Sequence, residues 1–334
     1  VEGTLCYMIL MVRLVKGMFR KYAAYMVLVG WWMVSIPACS TVSSSLPYQE
    51  GQIIASPQNT VVSFQDLRSA LLEAEVVYIG ETHYTPSHIE AALHVLRTLI
   101  EAGRTPILGM EMFGWDGQAG LNRYIKGEIT SVDAFLAESQ WKNNWGGHYQ
   151  DYSPLVDFAK HHNIKLLGLN PPRSMVRNVA QKGLAVIKEN PDVQVWNMPD
   201  PFPEDDPEYR RVIYEQIESC HGGMSQEVYQ KIYEASVFRD EGMASVITTT
   251  LKSQASGQAT VVSYTGAGHI QYGLPIPKRV QRQMEEPIQQ VTVYLHALDP
   301  EHPEDVDHLL KEQIADFIWL TELGPHGRQP RCGE

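Results

Sequence analysis

Val76-Val77-Tyr78-Ile79-Gly80 is an unbroken apolar run that leads into Glu81-Thr82-His83. A strand that is apolar on both faces must be covered on both faces, which is the condition of a parallel sheet between helix layers. The flanking patterns agree. Ser63 to Glu75 places Leu67, Ala70 and Leu71 on one helical face behind a Ser63 N-cap. Pro86 to Gly103 reads as a second helix, with Thr85 as its cap, Pro86 in its first turn and Gly103 at its end.

The alternation persists along the chain. Strands are expected at Pro106–Glu111, Ile164–Leu169, Ala259–Tyr264, Gln290–Leu298 and Phe317–Thr321. Helical pieces are expected at 117–139, 152–162 and 171–189. Strands separated by helices predict an α/β fold with a mainly parallel sheet flanked by helices. Residues 195–254 break the rhythm: a Pro- and acid-rich loop precedes two helical stretches, about 208–219 and 225–253, around His221-Gly222-Gly223. They predict a helical subdomain inserted before the fourth strand, or else two ordinary crossover helices.

In an open α/β sheet, ligands bind outside the carboxyl ends of the strands. Four strands deliver polar residues there. They end in Gly80-Glu81-Thr82-His83, Met110-Glu111-Met112-Phe113, Leu169-Asn170-Pro171-Pro172-Arg173 and Gly266-Ala267-Gly268-His269. Glu81 and His83, two apart on an extended chain, point the same way and suit an acid–base pair or two ligands of one divalent metal. Glu111 lies in apolar surroundings and needs a partner: His83, His269 or an arginine such as Arg173. Gly266-Ala267-Gly268 is not a dinucleotide loop, because the sixth place of that fingerprint is Gln271. The aromatic stretch Trp141–Tyr152 either walls a pocket or packs as a plain loop.

The formal charge of −12, with no long basic run, excludes nucleic acid as a partner. Four cysteines and no Cys-x-x-Cys exclude a disulfide scaffold and a zinc ribbon; Cys220 and Cys332 are the thiols able to pair once a signal is removed. Residues 1–38 read as that signal. Arg20 and Lys21 precede sixteen uncharged residues, Ala23 to Ala38, too few to span a bilayer readily, so a cleaved segment is favoured over an anchor. Met18 would make a more ordinary start. Ile36-Pro37-Ala38-Cys39 looks like a bacterial lipobox with Cys39 as the lipidated residue. Residues 39–49 would form a tether. Ser40 after the cysteine suits an outer-membrane lipoprotein facing the periplasm.

These motifs, with Arg239-Asp240-Glu241-Gly242-Met243-Ala244 and Ala315-Asp316-Phe317-Ile318-Trp319, resemble the ChaN-like family of haem-binding, iron-regulated lipoproteins over about residues 50–321. Residues 322–334 form a tail beyond it. The resemblance implies haem as cofactor, tyrosine ligation and a homodimer enclosing a cofacial haem pair. Tyr214, Tyr229 and Tyr233, all in the helical insertion, are the ligand candidates, with His221, Met243 and Arg239 beside them. Tyr229 and Tyr233 share a helix face. The amphipathic pattern fits plain aromatic core positions as well. The Gly-Glu-x-His signature also looks like a wider superfamily containing erythromycin esterases and Tiki-type proteases. There strand-end Glu and His serve hydrolysis, which maps to Glu81, His83, Glu111 and His269.

Overall fold

The computed structural model describes residues 47–187, 206–254, 259–325 and 327–328. Cys39 and Cys332 lie outside the described residues, as do the side chains of Cys220 and His221. So do the signal and tether expected at the N-terminus. Among the described residues no helix is long and apolar enough to cross a membrane.

One eight-stranded sheet forms the centre. Its strands are β1 (Ile53–Ala55), β2 (Thr60–Val62), β3 (Val76–Glu81), β4 (Thr105–Gly114), β5 (Leu166–Asn170), β6 (Ala259–Gly266), β7 (Gln290–Ala297) and β8 (Phe317–Thr321). The order is β2-β1-β8-β7-β3-β6-β4-β5. All six predicted strands are present and pair in parallel; β1 and β2 add an antiparallel hairpin at the β8 edge.

Both faces are covered, as the apolar runs require. Val77, Ile79, Met110 and Val262 belong to a core shared with α1 (Phe64–Glu73), α2 (Pro86–Glu101), α3 (Gln118–Ile125), α4 (Val132–Glu138), α5 (Trp141–Asn144) and α6 (Tyr149–His161). Their neighbours Val76, Tyr78, Ile107 and Val261 form a separate core with Met243, Ala244, Ile276 and Val280. Odd and even residues of one strand thus serve opposite layers. Ser63 caps α1 with a full capping box. Thr85 does not cap α2, since its side chain makes no hydrogen bond at the helix start. Helix α6 begins at Tyr149, not Tyr152, and α7 (Arg173–Lys182) is shorter than the helical stretch expected there.

The insertion is a long hairpin of α8 (Pro207–His221) and α9 (Gln226–Ser253), followed after β6 by α10 (Ile276–Gln283); α11 (Glu304–Glu312) precedes β8. The two ends of α9 do different work. Met243, Ala244 and Ile247 pack on the sheet with α10. Tyr229, Tyr233 and Val237 pack instead with Tyr209, Val212 and Ile217 of α8.

Candidate active site at the strand ends

β3, β4 and β6 end side by side, with Glu81 in register with Gly266. Glu81, the last residue of β3, is buried and fully engaged. Its Oε2 accepts from the Tyr264 hydroxyl at 2.5 Å, and its Oε1 from the Tyr152 hydroxyl at 2.9 Å. The Nδ1 of His83 lies 2.7 Å from the same Oε1. Burial pushes the Glu81 carboxyl above its usual range, and the hydrogen bonds from His83 and the two tyrosines only partly offset this. For His83, burial disfavours the charge, but the Glu81 bond and the Glu111 charge outweigh it and the ring is raised overall.

The chain turns sharply after His83. Tyr84 adopts a left-handed φ of 63°, and its N–H donates to the Tyr152 oxygen at 3.3 Å. A bulky residue held there is strained backbone beside a functional group. Trp145, from the aromatic stretch read as a possible pocket wall, sets its ring edge-on to His83 at 4.9 Å.

Glu111 carries the second network. Its Oε2 accepts the Gly266 N–H at 2.7 Å. Its Oε1 accepts from Arg239 Nη2 and lies 3.5 Å from His269 Nε2. Arg239 therefore takes the place expected for Arg173, whose guanidinium donates to the Trp145 carbonyl instead. Arg239 Nε also donates to Asn170 Oδ1 at 3.2 Å, which brings the end of β5 into the cluster. On its far side, His269 Nδ1 sits 2.6 Å from Asp240 Oδ1, and Tyr209 donates to Asp240 Oδ2. Burial opposes charge on His269, but Glu111 and Asp240 outweigh it and push its pKa up to about 9. Burial likewise opposes charge on Glu111, yet His269 and Arg239 hold it well below the usual carboxylate range. The two glutamates are thus driven in opposite directions by their surroundings, the pattern that separates acid from base roles.

Gly266 separates the networks. A Cβ there would stand 3.0 Å from His83 Cε1 and 3.4 Å from Glu111 Oε2. A side chain there would crowd the ring and the carboxylate, which converge on that spot. Among the described residues, no group of three or more His, Cys, Asp or Glu side chains is placed to hold a metal ion. The divalent metal weighed for Glu81 and His83 therefore has no ligand set there.

A family described as haem-binding uptake, Tiki superfamily, ChaN matches residues 67–280, which span every strand end just described. This chain belongs to the ChaN family. Its fold is similar to that of ChaN from Campylobacter jejuni, a structure of cofacial haem binding: TM-score 0.61, 19% identity, 81% of this chain and 98% of that one. An erythromycin esterase mutant in its open conformation is more distant, with TM-score 0.41, 14% identity, 70% of this chain and 72% of that one. Protein RETICULATA-RELATED 5, chloroplastic, of Arabidopsis thaliana is 26% identical over 77% of this chain. The ChaN-family chain spans only 35% of that relative's length.

The described residues put forward for haem lie in three places. Arg239 belongs to the strand-end network. Met243 is buried in the sheet-facing core. The three tyrosines meet between α8 and α9, where the Tyr214 ring lies 5.8 Å from Tyr229 and 6.1 Å from Tyr233. Tyr229 and Tyr233 are buried. Tyr214 is half-buried; its hydroxyl donates to Gln230 Oε1 at 3.0 Å and accepts from Arg210 at 3.3 Å. Sequence reading missed Asp240, Tyr152, Tyr209 and Tyr264. Asp240 lies beside Arg239 in the Arg239–Ala244 motif and Tyr152 closes the aromatic stretch, whereas Tyr209 and Tyr264 carry no such signal.

Proposed function

We propose that this chain is a haem-binding lipoprotein for haem or iron acquisition, holding ferric haem through a tyrosine of the α8–α9 hairpin. Membership of the haem-binding ChaN family carries the reading. The hairpin's chemistry fits the group. Tyrosine is an established axial ligand of ferric haem, and a porphyrin needs apolar surface beside it. Of the three candidates Tyr214 is the least enclosed. Met224 and Val228 are exposed at the same end of the hairpin, two of four large exposed apolar residues among those described. Tyr214 would supply the ligand oxygen, Met224 and Val228 the apolar contact. Bound haem would supply iron as cargo.

The proposal includes a haem-linked homodimer and attachment to the outer membrane, facing the periplasm, through lipidated Cys39. Haemin titrated into the full chain should give a saturable tyrosinate-type visible spectrum, with dimers appearing in sedimentation as haem is added. Tyr214→Phe should change the spectrum, while Tyr229→Phe and Tyr233→Phe leave it unchanged. No saturable binding by the wild type would sink the reading. Intact mass of membrane-extracted protein should show a diacylglyceryl-modified Cys39 as the first residue.

A second reading rests on the 2.7 Å contact between Glu81 and His83. A carboxylate that orients an imidazole, with the far ring nitrogen open, is how a general base is built. A hydrolase would use His83 to take a proton from water, with Glu81 orienting the ring and His269 and Glu111 setting the field. Release of p-nitrophenol from a panel of esters, abolished by His83→Ala and unaffected by Tyr214→Phe, would establish it. A panel giving only buffer rates would remove it.

A further inference from the structure

Every carboxylate oxygen of the strand-end networks already accepts at least one hydrogen bond, while donors are left over. Both oxygens of Glu81 are engaged by His83, Tyr152 and Tyr264. Both oxygens of Glu111 are engaged by Gly266, Arg239 and His269. Both oxygens of Asp240 are engaged by Tyr209 and His269. All three carboxylates are buried.

The donors are different. A guanidinium has five N–H groups, and Arg239 uses two of them, toward Asn170 and Glu111. The His269 Nε2 contact to Glu111 is long, at 3.5 Å. Among the described residues His83 is bonded through Nδ1, and its Nε2 is a further donor when the ring is protonated, the form that Glu81 and Glu111 favour. All three side chains reach solvent: 37% exposed for His83, 28% for Arg239 and 15% for His269. A site whose solvent-facing charged groups are donors, with the carboxylates behind them buried and already bonded, is matched by a ligand made of acceptors.

We propose that Arg239, His269 and His83 form an oxyanion site that takes the carboxylate or phosphate group of a small molecule. Arg239 offers the planar fork that grips such a group with two parallel bonds. His269, pinned by Asp240 behind it, holds its Nε2–H in a fixed direction. His83 closes the other side across Gly266, where a Cβ would crowd the ring at 3.0 Å. The charges of Arg239 and protonated His269 are balanced by Glu111 and Asp240, so selection is by directed hydrogen bonds more than by net attraction.

Two sources offer this chemistry. One is a haem propionate, which rests on the haem reading above; the other is a free small anion. Sodium phosphate and sodium acetate, titrated separately into the full chain, should shift the His83 and His269 ring resonances saturably. The resonance of exposed His302, bonded to Glu304, should not follow them. Arg239→Gln should weaken the effect at least about tenfold, the loss of one charge-assisted contact. Arg239→Lys, which keeps the charge without the fork, should fall between and serves if Arg239→Gln does not fold. In parallel, haemin and haemin dimethyl ester, whose propionates are masked, are compared by visible titration. A propionate source predicts that Arg239→Gln weakens haemin about tenfold and leaves the diester unmoved. A free anion predicts shifts with phosphate or acetate while haemin and diester bind alike. Failure of the wild type to bind haemin would remove the haem reading and leave the phosphate and acetate arm to decide. Unmoved histidine resonances, together with haemin and diester equally indifferent to Arg239→Gln, would overturn the oxyanion site.

Discussion

The strand ends and the helical hairpin are both polar, aromatic-rich clusters, yet they are built by opposite rules. At the strand ends, charged groups are buried and locked to partners from β3, β4, β5, β6 and α9. In the hairpin, rings rest on rings, Arg210 lies 4.4 Å over the Tyr233 ring, and Arg210, Tyr214 and Gln230 bond one another across α8 and α9. Losing one partner at the strand ends strands a buried charge, which is expensive. Losing one hydroxyl in the hairpin leaves the ring packing in place. The first region is held by directed bonds to buried charges, the second mainly by ring packing.

Substitutions can break or sharpen this contrast. Glu111→Gln should be the most damaging, because Arg239 and His269 lose their shared counter-charge; a loss of about 3–5 kcal/mol in urea unfolding is expected. If it cost under about 1 kcal/mol, the strand-end network would be no more committed than the hairpin. The pH dependence comes next. The folded pKa of His269 is raised from 6.5 to about 9, so its contribution is complete below pH 6.5 and is lost as pH rises through about 9. That amounts to about 3 kcal/mol. Denaturation curves across that window should slope in the wild type and flatten in His269→Gln.

Tyr209→Phe joins the two regions, since Tyr209 packs with Tyr233 while donating to Asp240. It should cost about 1.5–3 kcal/mol, the value of a hydrogen bond to a buried charge. Tyr214→Phe should be the mildest, within about 1 kcal/mol by thermal melting, although the same change is expected to alter the haem spectrum. A Tyr214→Phe protein as unstable as Tyr209→Phe would make Tyr214 a structural residue.

Fold legibility followed how much of the signal was local. Val76–Gly80 announces a doubly covered strand in five consecutive letters, and Ser63-x-x-Asp66 announces its helix start in four. β1 and β2, three residues each, carry too few side chains to show a period. They exist because Ile53 and Ile54 pair with Trp319 and Ile318, far along the chain. At the site, Glu81, His83, Glu111 and His269 were legible because strand ends concentrate function in such sheets. Their partners were not. Tyr152 closes an aromatic stretch that reads as a pocket wall or a plain loop, Tyr264 and Tyr209 carry no local signal, and only the packing of α6, β6 and α8 aims the three hydroxyls at carboxylates. Arg239 displaced Arg173 as the Glu111 partner because α9 crosses the strand ends, a placement no local pattern encodes.

Helix α9 runs for 28 residues, about 42 Å, with its first half in the hairpin and its second half on the sheet. One rod shared by two clusters ties their unfolding together. Amides from Phe238 onward should exchange with solvent deuterium only through global opening, and those near Tyr229 through fraying of the hairpin. A ligand that clamps the hairpin would then slow exchange at its own end first, and any protection spreading past Phe238 would measure how far the rod carries that grip toward the strand ends.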